Sequence, residues 1–533
     1  MKESVKLEPN REVTKVDVAI IGAGFSGLGM GIRLKMEGKR SFVIFERADD
    51  LGGTWRDNVY PGCACDIPSL VYSFSFDQNP NWSRKYPTQP EILAYLKQCA
   101  LRFNIRANIL FNQEVTLLHF DERQGGWLVQ TRRGDRVKAR VVVAGLGPLN
   151  RPKIPDMAGL DGFAGPAFHS SAWDTQFDLN GKRLAIVGTG ASAIQIVPEV
   201  AKVAEQVSVF QRTPPWIVPR HDTPTTSIGQ SLFRKIPLLQ KMARGLLYWQ
   251  LEIRVLAFLG NKFIQRKAKL IAKKHIEKSI ADPELRKAVT PNYAFGCKRV
   301  LLSDDYYPAL QRENVELITA RISEVKAHTI VDQNGYERPI DAIIFCTGFV
   351  ASEILLDMKI YGRDGRELLE EWQKKGPEAY YGLSVSGYPN LFFMMGPNTG
   401  LAHNSVLHMI ESQHNYIMDY LRLLDKEGVA YLDIKPDVYA KYNAHIQKKL
   451  QKTVWQAGGC TSWYQMTSGQ NTTLWPGWTA EYRLKTYKVD RAVYEFPVRT
   501  NRPTDSCPEP AEGYDHSGKP NAKRGNFSES RFS

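Results

Sequence analysis

One glycine-rich segment has the residue types and spacing that bind a nucleotide diphosphate. Gly22, Gly24 and Gly27 follow a run of β-prone apolar residues at 16–21 and precede a helical pattern. In such a turn the first glycine permits the tight bend, the second lets the backbone approach a pyrophosphate, and the third lets helix and strand pack closely. Glu46 ends the next predicted strand, where a carboxylate can accept both ribose hydroxyls. The segment therefore predicts a complete dinucleotide-binding unit rather than a chance glycine-rich turn.

A second segment repeats this pattern with one decisive difference. Gly188 and Gly190 follow another apolar run, and Ala193 stands in place of the third glycine. The next predicted strand ends at Arg212 and Thr213, where the first unit has an acid. A planar guanidinium suits a 2′-phosphate, which favours NADPH over NADH. One unit for FAD and one for NADPH is the economical assignment, and two nucleotides of another kind are the alternative.

These units predict an α/β fold with two Rossmann-like dinucleotide-binding domains, in which the NADPH domain is inserted in the FAD domain and itself carries a helical sub-insertion. A buried strand at 341–349 is expected to return the chain to the FAD domain. The predicted segments are the first half of the FAD domain (1–150), the first part of the NADPH domain (151–224), a basic helical insertion (225–290), the second part of the NADPH domain (291–340), the second half of the FAD domain (341–500) and a disordered tail (501–533).

The composition is that of a globular protein of several domains. The chain has 533 residues, of which 43% are hydrophobic and 24% charged, and this excludes collagen, a coiled coil and wholesale disorder. The seven cysteines are odd in number and scattered, and the N-terminus has no apolar signal segment, so a reducing cytoplasmic location is predicted. Cys63 and Cys65 lack the spacing of a redox dithiol or a metal site. Two packed thiols and no metal are expected.

Positive charge is concentrated in one stretch. The net charge is +14, and residues 231–290 hold 14 Lys and Arg against 4 Asp and Glu. Charged residues interrupt the most apolar window, 242–260, so no transmembrane helix is predicted. Three interpretations stay open: a solvated helical cap, a field that attracts an anionic cofactor, or a weak contact with a membrane surface. Nucleic-acid binding is not expected, because no recognisable binding fold accompanies the charge. The oligomeric state is left open.

The segment between the two units resembles a family fingerprint. Phe163, Gly165, His169 and the pair Trp173-Asp174 are similar to the F-x-G-x-x-x-H-x-x-x-W-P/D motif of type I Baeyer–Villiger monooxygenases, which are class B flavoprotein monooxygenases. Related N- and S-oxygenating flavin monooxygenases usually carry Tyr or Phe and then a basic residue at the last two positions. The Trp-Asp pair therefore favours the ketone-oxidising branch. The resemblance extends from residue 16 to about residue 480.

The resemblance implies an enzyme that uses FAD, NADPH and O2 to insert oxygen next to a ketone carbonyl, through a C4a-peroxyflavin, and gives an ester or lactone. Arg299 matches the family's catalytic cation, Asp66 would hold it, and Lys298 would help Arg212 at the 2′-phosphate. His169 is either catalytic or a brace for an interdomain linker.

The same resemblance assigns further residues to the cofactors. Thr54 and Trp55 match the segment along the flavin, and Asp66 and Tyr72 match positions near it. Asn398 lies in a loop that resembles the one facing the flavin ring, or it only caps a helix. Trp463 matches a mobile loop over nicotinamide and substrate, or it is a structural tryptophan. The remaining cofactor-binding candidates are Ser26, Val115, Thr189 and Ser192.

Two other functions compete with ketone oxidation. An N- or S-oxygenating flavin monooxygenase would share both glycine turns, and Trp173-Asp174 and Arg299 argue against it. A flavin-carrying NADPH sensor or binding protein would keep the glycine turns without needing Arg299. The ketone itself is not identified by the sequence.

Overall fold

A computed structural model describes residues 14–350, 355, 358–460, 462–466 and 468–496. The predicted disordered tail (501–533) lies outside the described residues. The strands are β1 (Thr14–Ile21), β2 (Phe42–Phe45), β3 (Ile109–Leu110), β4 (Val115–Asp121), β5 (Gly126–Thr131), β6 (Arg136–Ala144), β7 (Ala167–His169), β8 (Arg183–Val187), β9 (Gln206–Phe210), β10 (Ile217–Val218), β11 (Leu301–Leu302), β12 (Val315–Ile318), β13 (Ile322–Val325), β14 (Thr329–Asp332), β15 (Glu337–Pro339), β16 (Ala342–Phe345), β17 (Lys359–Tyr361), β18 (Leu391–Phe393), β19 (Asp433–Ile434) and β20 (Tyr494–Glu495).

Helices connect these strands and cover the sheets. They are α1 (Phe25–Glu37), α2 (Thr54–Asp57), α3 (Gln89–Arg102), α4 (Ala193–Val200), α5 (Ser227–Lys235), α6 (Pro237–Glu252), α7 (Lys262–Ser279), α8 (Pro283–Ala288), α9 (Tyr306–Ala309), α10 (Leu368–Lys375), α11 (Val406–Glu427), α12 (Pro436–Leu450), α13 (Val454–Ala457) and α14 (Thr479–Lys485).

The first sheet is built around the parallel strands β1 and β6. Its order is β17-β4-β5-β6-β1-β2-β3, and β18 also pairs with β6. Val18 lies opposite Val141 and Ile21 opposite Ala144, and these strand ends are buried. Runs of buried apolar residues are typical of parallel strands that are covered on both faces. The carboxyl end of β1 leads directly into the first glycine turn.

The second sheet is parallel throughout and has the order β12-β9-β8-β16-β7. Its central strand β8 leads into the second glycine turn. The α/β class with two dinucleotide-binding sheets is therefore confirmed. The expectation that the strand at 341–349 returns the chain to the first sheet is wrong, because β16 pairs with β7 and β8. The chain re-enters the first sheet at β17, which pairs with β4. The other predicted domain boundaries stay predictions.

The basic stretch forms helices α5 to α8, as its sequence predicts. None of the helices in the described ranges is both long and apolar enough to cross a membrane.

Glu252 joins the basic stretch to the rest of the protein, and its side chain is fully buried at the end of α6. Glu252 accepts hydrogen bonds from the Asn404 side-chain amide at 2.6 Å, and from the Thr479 backbone N–H at 2.5 Å and hydroxyl at 2.7 Å. This carboxylate therefore joins three segments that are distant in sequence.

We expect Glu252 to make the stability of the protein depend on acidity. Burial alone raises the pKa of Glu252, but the nearby His403 ring and the hydrogen bonds from Thr479 and Asn404 outweigh it and lower the pKa to about 2. Because the folded pKa lies below its usual value, the stabilisation is complete above about pH 4.5 and is lost as the pH falls towards 2, with a full size of about 3 kcal/mol. In urea unfolding, the difference between the wild type and Glu252→Gln should shrink from pH 7 to pH 3.

The matched control for this measurement is Glu370→Gln, because Glu370 is exposed on α10 and pairs only loosely with Lys374 at 4.0 Å. Its difference from the wild type should stay small and flat across the same range. A Glu252→Gln difference that does not change with pH would show that Glu252 acts through packing and not through its charge.

Candidate active site

A single large cleft contains most of the residues that the sequence singles out. Its volume is about 1320 Å³, and both glycine turns line it. Small-molecule sites usually have volumes of about 300–1,000 Å³, so this cleft has room for more than one ligand. Its walls come from the carboxyl ends of β1 and β8 and from loops that follow them.

The first glycine turn has the geometry of a pyrophosphate cradle. Gly22 has φ +94°, and a Cβ there would lie 2.6 Å from the carbonyl oxygen of Gly145, so only glycine fits. A Cβ on Gly27 would lie 1.9 Å from the Gly22 carbonyl oxygen, which makes this glycine a packing residue between helix and strand. A Cβ on Gly24 would meet nothing closer than the Cα of Gly53 at 3.7 Å. The space above Gly24 is therefore open for a ligand to approach the backbone.

Glu46 holds the start of this turn. Its carboxylate accepts hydrogen bonds from the backbone N–H of Ala23 at 2.8 Å and of Ala48 at 3.0 Å, and from the Arg56 guanidinium at 2.9 Å. Glu46 is buried but lines the cleft beside the glycine turn. The carboxylate is thus fixed at the position that the fingerprint assigns to a ribose contact.

The second glycine turn repeats this geometry. Gly188 has φ +104°, and a Cβ there would lie 2.6 Å from the Cys346 carbonyl oxygen. A Cβ on Gly190 would have its nearest neighbour at 3.9 Å, so the backbone is again open to a ligand. The Thr189 hydroxyl donates to the Thr213 carbonyl at 3.3 Å and ties the turn to the end of β9.

Arg212 and Lys298 bring two cations together in the cleft. Burial lowers the pKa of Lys298, and the positive charge of Arg212 lowers it further. The Lys298 ammonium also lies 5.1 Å from the centre of the Tyr293 ring. In the part of the chain that the structure describes, neither cation has a carboxylate partner. Two neighbouring cations without a counter-ion form a site that fits a phosphate group.

Arg299 and Asp66 form an ion pair that lines the same cleft. The guanidinium donates to one carboxylate oxygen of Asp66 from Nε at 3.0 Å and from Nη2 at 2.5 Å. The side chains are about a third and a quarter exposed, at 31% and 26%. The negative charge of Asp66 raises the pKa of Arg299, so the guanidinium stays charged. The predicted pairing of these two residues is present in the structure.

Tyr464 is a neighbour of Arg299 that the sequence did not single out. Its ring is buried, and burial raises the pKa of the phenol to about 12 although the charge of Arg299 acts in the opposite direction. Tyr464 follows Trp463, which is 42% exposed and lines the cleft. In the sequence, only the position of Tyr464 next to Trp463 indicates that it could lie near the site. That its phenol lies beside Arg299 depends on packing between distant segments.

Two aromatic side chains, Trp55 and Tyr72, also line the cleft. The Trp55 indole N–H donates to the Tyr72 hydroxyl at 3.0 Å, and the two rings meet edge to face with centres 5.6 Å apart. Thr54 begins helix α2 beside them. The other predicted cofactor residues that line the cleft are Ser26, Val115, Thr189, Ser192, Thr213 and Trp463.

Some predicted site residues do not line the cleft in the described part of the chain. Gly27 and Ala193 lie in helices α1 and α4 and allow them to pack on their strands, and their cofactor contacts stay a prediction. Asn398 donates from its side-chain amide to the carbonyls of Asn471 at 2.9 Å and Leu474 at 3.2 Å. These hydrogen bonds hold a neighbouring loop, and the assignment of Asn398 as a cofactor ligand stays a prediction.

His169 also lies outside the cleft lining among the described residues. It ends the edge strand β7, where its Nδ1 accepts the backbone N–H of Ser171 at 3.2 Å and its ring packs edge to face on Phe349 at 5.3 Å. Burial lowers the pKa of His169, which favours the neutral ring. These contacts fit the alternative, a structural brace at the edge of the second sheet, and the catalytic assignment stays a prediction.

A disulfide joins Cys297 and Cys460 across 163 residues of sequence, with Cα atoms 6.2 Å apart. Cys297 precedes the Lys298-Arg299 pair, and Cys460 precedes Trp463. The bond therefore ties two cleft-lining segments together. Cys63 and Cys65 are buried free thiols, as predicted. The expectation that the scattered cysteines are those of a fully reduced protein is wrong for the Cys297–Cys460 pair, since spacing along the chain does not reveal which cysteines meet in space.

Thiol titration tests this bond directly. With seven cysteines in the chain, the unfolded and unreduced protein should react at five thiols, and the reduced protein at all seven. Because the bond restricts the unfolded chain, Cys297→Ser/Cys460→Ser should lower the free energy of unfolding by about 2–4 kcal/mol under oxidising conditions. Cys99→Ser is the control for the count and should lower both numbers by one. Seven reactive thiols before reduction would contradict the pairing.

Comparisons with known proteins agree with this geometry. The model of the flavin-binding monooxygenase-like family matches residues 15–364. A Baeyer-Villiger monooxygenase from Pseudomonas aeruginosa is 50% identical over 480 residues, which are 90% of this chain and 91% of that protein. A steroid monooxygenase solved with NADP has a TM-score of 0.81 at 30% identity, over 91% of this chain and 99% of the other. OTEMO in complex with FAD and NADP has a TM-score of 0.80 at 26% identity, over 90% and 99%.

The family match covers both glycine turns, the segment around His169 and the Lys298-Arg299 pair within one continuous range. The relatives extend the similarity to nearly the whole described chain. The chain belongs to the flavin-binding monooxygenase-like family.

Proposed function

We propose that the chain is an NADPH- and O2-dependent Baeyer–Villiger monooxygenase, which uses FAD to insert one oxygen atom next to a ketone carbonyl and gives an ester or lactone. The name of the Pseudomonas aeruginosa relative and the NADP and FAD bound to the structural neighbours support this function. The observation that carries it is the Arg299–Asp66 pair, which lines the same cleft as both glycine turns.

The residues of the cleft fit both cofactors. The open backbone at Gly24 and the fixed carboxylate of Glu46 would hold FAD, and the open backbone at Gly190 with Arg212 and Lys298 would hold NADPH. When bound, FAD supplies the chemistry that passes electrons from NADPH to dioxygen. The protein supplies binding, orientation and a suitable electrostatic field.

Arg299 supplies the fixed positive charge of this field. As oxygen adds to the ketone, negative charge develops on the carbonyl oxygen, and a preorganised guanidinium stabilises such an oxyanion. Asp66 uses two of the five N–H donors of the guanidinium and fixes its plane, which leaves other donors for the reacting groups. Asp66 is therefore a positioning residue for Arg299.

The walls of the cleft limit the access of water. Trp55, Leu401 and Leu407 line it and are buried, and Tyr72 lines it and is partly buried. Excluding water strengthens the electrostatic effect of Arg299 and protects reactive intermediates of the reaction from decay. Trp463 would complete this wall on the side of Arg299.

The function is tested by product analysis with the purified yellow protein, NADPH and air. A panel of linear, cyclic and aromatic ketones with one sulfide should give esters or lactones from at least one ketone, and no product when NADPH is omitted. Oxidation of the sulfide with no ester from any ketone would instead identify an N- or S-oxygenating monooxygenase. A cytoplasmic location stays a prediction, on which the thiol titration also bears.

A further inference from the structure

Helix α6 is amphipathic in the opposite sense to an ordinary surface helix. Its buried face carries polar residues: Gln240 donates to the Asn79 carbonyl at 2.8 Å, and Arg244 donates to the Leu70 carbonyl at 2.5 Å and the Ser73 hydroxyl at 3.3 Å. A surface helix normally buries its apolar side and exposes its polar side. The polar contacts of α6 thus hold the helix on the protein while leaving its apolar side free.

The outward face of α6 is a continuous apolar stripe. Leu238, Met242, Leu246 and Trp249 follow one another at helical spacing, and Ile253 continues the row just beyond the helix. Each of these side chains is between 53% and 74% exposed. Isolated exposed apolar residues need no explanation, but a contiguous row of this kind marks an interaction surface.

Helix α5 extends the stripe. Ile228, Leu232 and Ile236 repeat at intervals of four residues, and each is at least 44% exposed. Ile236 is also the residue that precedes the first turn of α6, so the two rows meet there. The solvated-cap interpretation of this basic stretch does not account for so many exposed apolar side chains.

The surroundings of the stripe are basic. Lys235 and Lys241 flank it on α5 and α6, and α7, which follows in the sequence, carries exposed cations that include Lys262, Arg266 and Lys274 and one exposed acid, Glu277. In helices α5 and α6 the only acidic residue is Glu252, and its side chain is fully buried. Exposed apolar residues with Trp, combined with Lys and Arg and without exposed acids, are the features of a helix that lies in the interface of an anionic membrane.

We propose that helices α5 and α6 dock on the surface of an anionic lipid bilayer, with the apolar stripe in the interfacial layer and the lysines on the lipid headgroups. A second copy of the chain fits this surface less well. In a two-fold dimer the same patch would face itself, and the basic residues of both copies would repel one another without an exposed acid on α5 or α6 to offset them. The complementary charge is supplied by acidic lipid.

Vesicle co-sedimentation of the FAD-loaded, full-length protein tests the proposal. Vesicles of phosphatidylcholine alone are compared with vesicles that also contain phosphatidylglycerol, in about 0.1 M and about 1 M salt, where the Debye length falls from about 10 to about 3 Å. We expect binding to the acidic vesicles that weakens at high salt. Leu246→Ser/Trp249→Ser should weaken this binding about tenfold or more, because both side chains would otherwise bury apolar area in the membrane.

The matched control is Met36→Ser/Tyr336→Ser, which removes two side chains that are 56% and 66% exposed outside α5 to α7. Absorbance of bound FAD and thermal melting verify that each variant is folded. The proposal is overturned if the wild type does not bind acidic vesicles, or if the control loses binding to the same extent. It is also overturned if light scattering shows a dimer that Leu246→Ser/Trp249→Ser dissociates while vesicle binding stays unchanged.

Discussion

Replacement of Arg299 by alanine is expected to abolish ester formation while FAD binding and reduction by NADPH persist. The guanidinium lines the cleft and is held by Asp66, but the glycine turns that bind the two nucleotides do not depend on it. Removing one preorganised group that stabilises an oxyanion typically costs about 10²–10³ in rate. Ester yield per NADPH consumed is measured by chromatography, and flavin reduction is followed by absorbance without oxygen.

The matched control is Arg338→Ala. Arg338 also pairs with carboxylates, those of Glu316 and Asp332, but it lies outside the cleft lining in the described chain. This variant should lose stability and keep its ester yield per folded molecule. Arg299→Lys retains a positive charge but not the planar fork of donors, so it should recover only part of the activity. Wild-type yield from Arg299→Ala would remove Arg299 from the mechanism.

Replacement of Arg212 by alanine is expected to remove most of the preference for NADPH over NADH. Hydrogen bonds to charged groups contribute about 1.5–3 kcal/mol, so kcat/KM for flavin reduction by NADPH should fall about 10- to 100-fold, while that for NADH stays nearly unchanged. Lys298→Ala should act in the same direction. The double variant should lose less than the product of the two single effects, because both cations would contact one phosphate.

Arg312→Ala is the control for this change of preference, because Arg312 lies in the turn before β12, outside the cleft lining of the described residues. It should affect neither coenzyme. An equal loss with NADPH and NADH in Arg212→Ala would show that Arg212 contacts a part that both coenzymes share, and the assignment to the 2′-phosphate would be wrong.

The sequence predicts those parts of the site that depend only on the backbone conformation of a short segment. Gly22 and Gly188 adopt positive φ at the ends of their strands, and Gly24 and Gly190 leave the space that a ligand needs. These properties follow from a strand–turn–helix segment of a few residues, which a pattern can describe. The helical character of the basic insertion is predictable for the same reason.

Sequence patterns say least about residues whose positions depend on packing between distant segments. The pattern of β16 is that of any buried parallel strand, and nothing in it states which of two sheets it joins. The positions of Asn398 and His169 next to functional motifs did not reveal that their side chains contact a neighbouring loop and a sheet edge. Tyr464 reaches Arg299 only because the chain folds back over more than 150 residues.

The covalent link between Cys297 and Cys460 has a practical consequence for anyone who handles this protein. Dithiothreitol in a storage buffer would open a bond two residues from the guanidinium that the proposed chemistry needs. Rates measured with and without such a reagent would then describe two forms of the protein, which differ in the mobility of the segments beside Arg299. Comparisons between preparations are meaningful only when each sample is kept at one defined oxidation state.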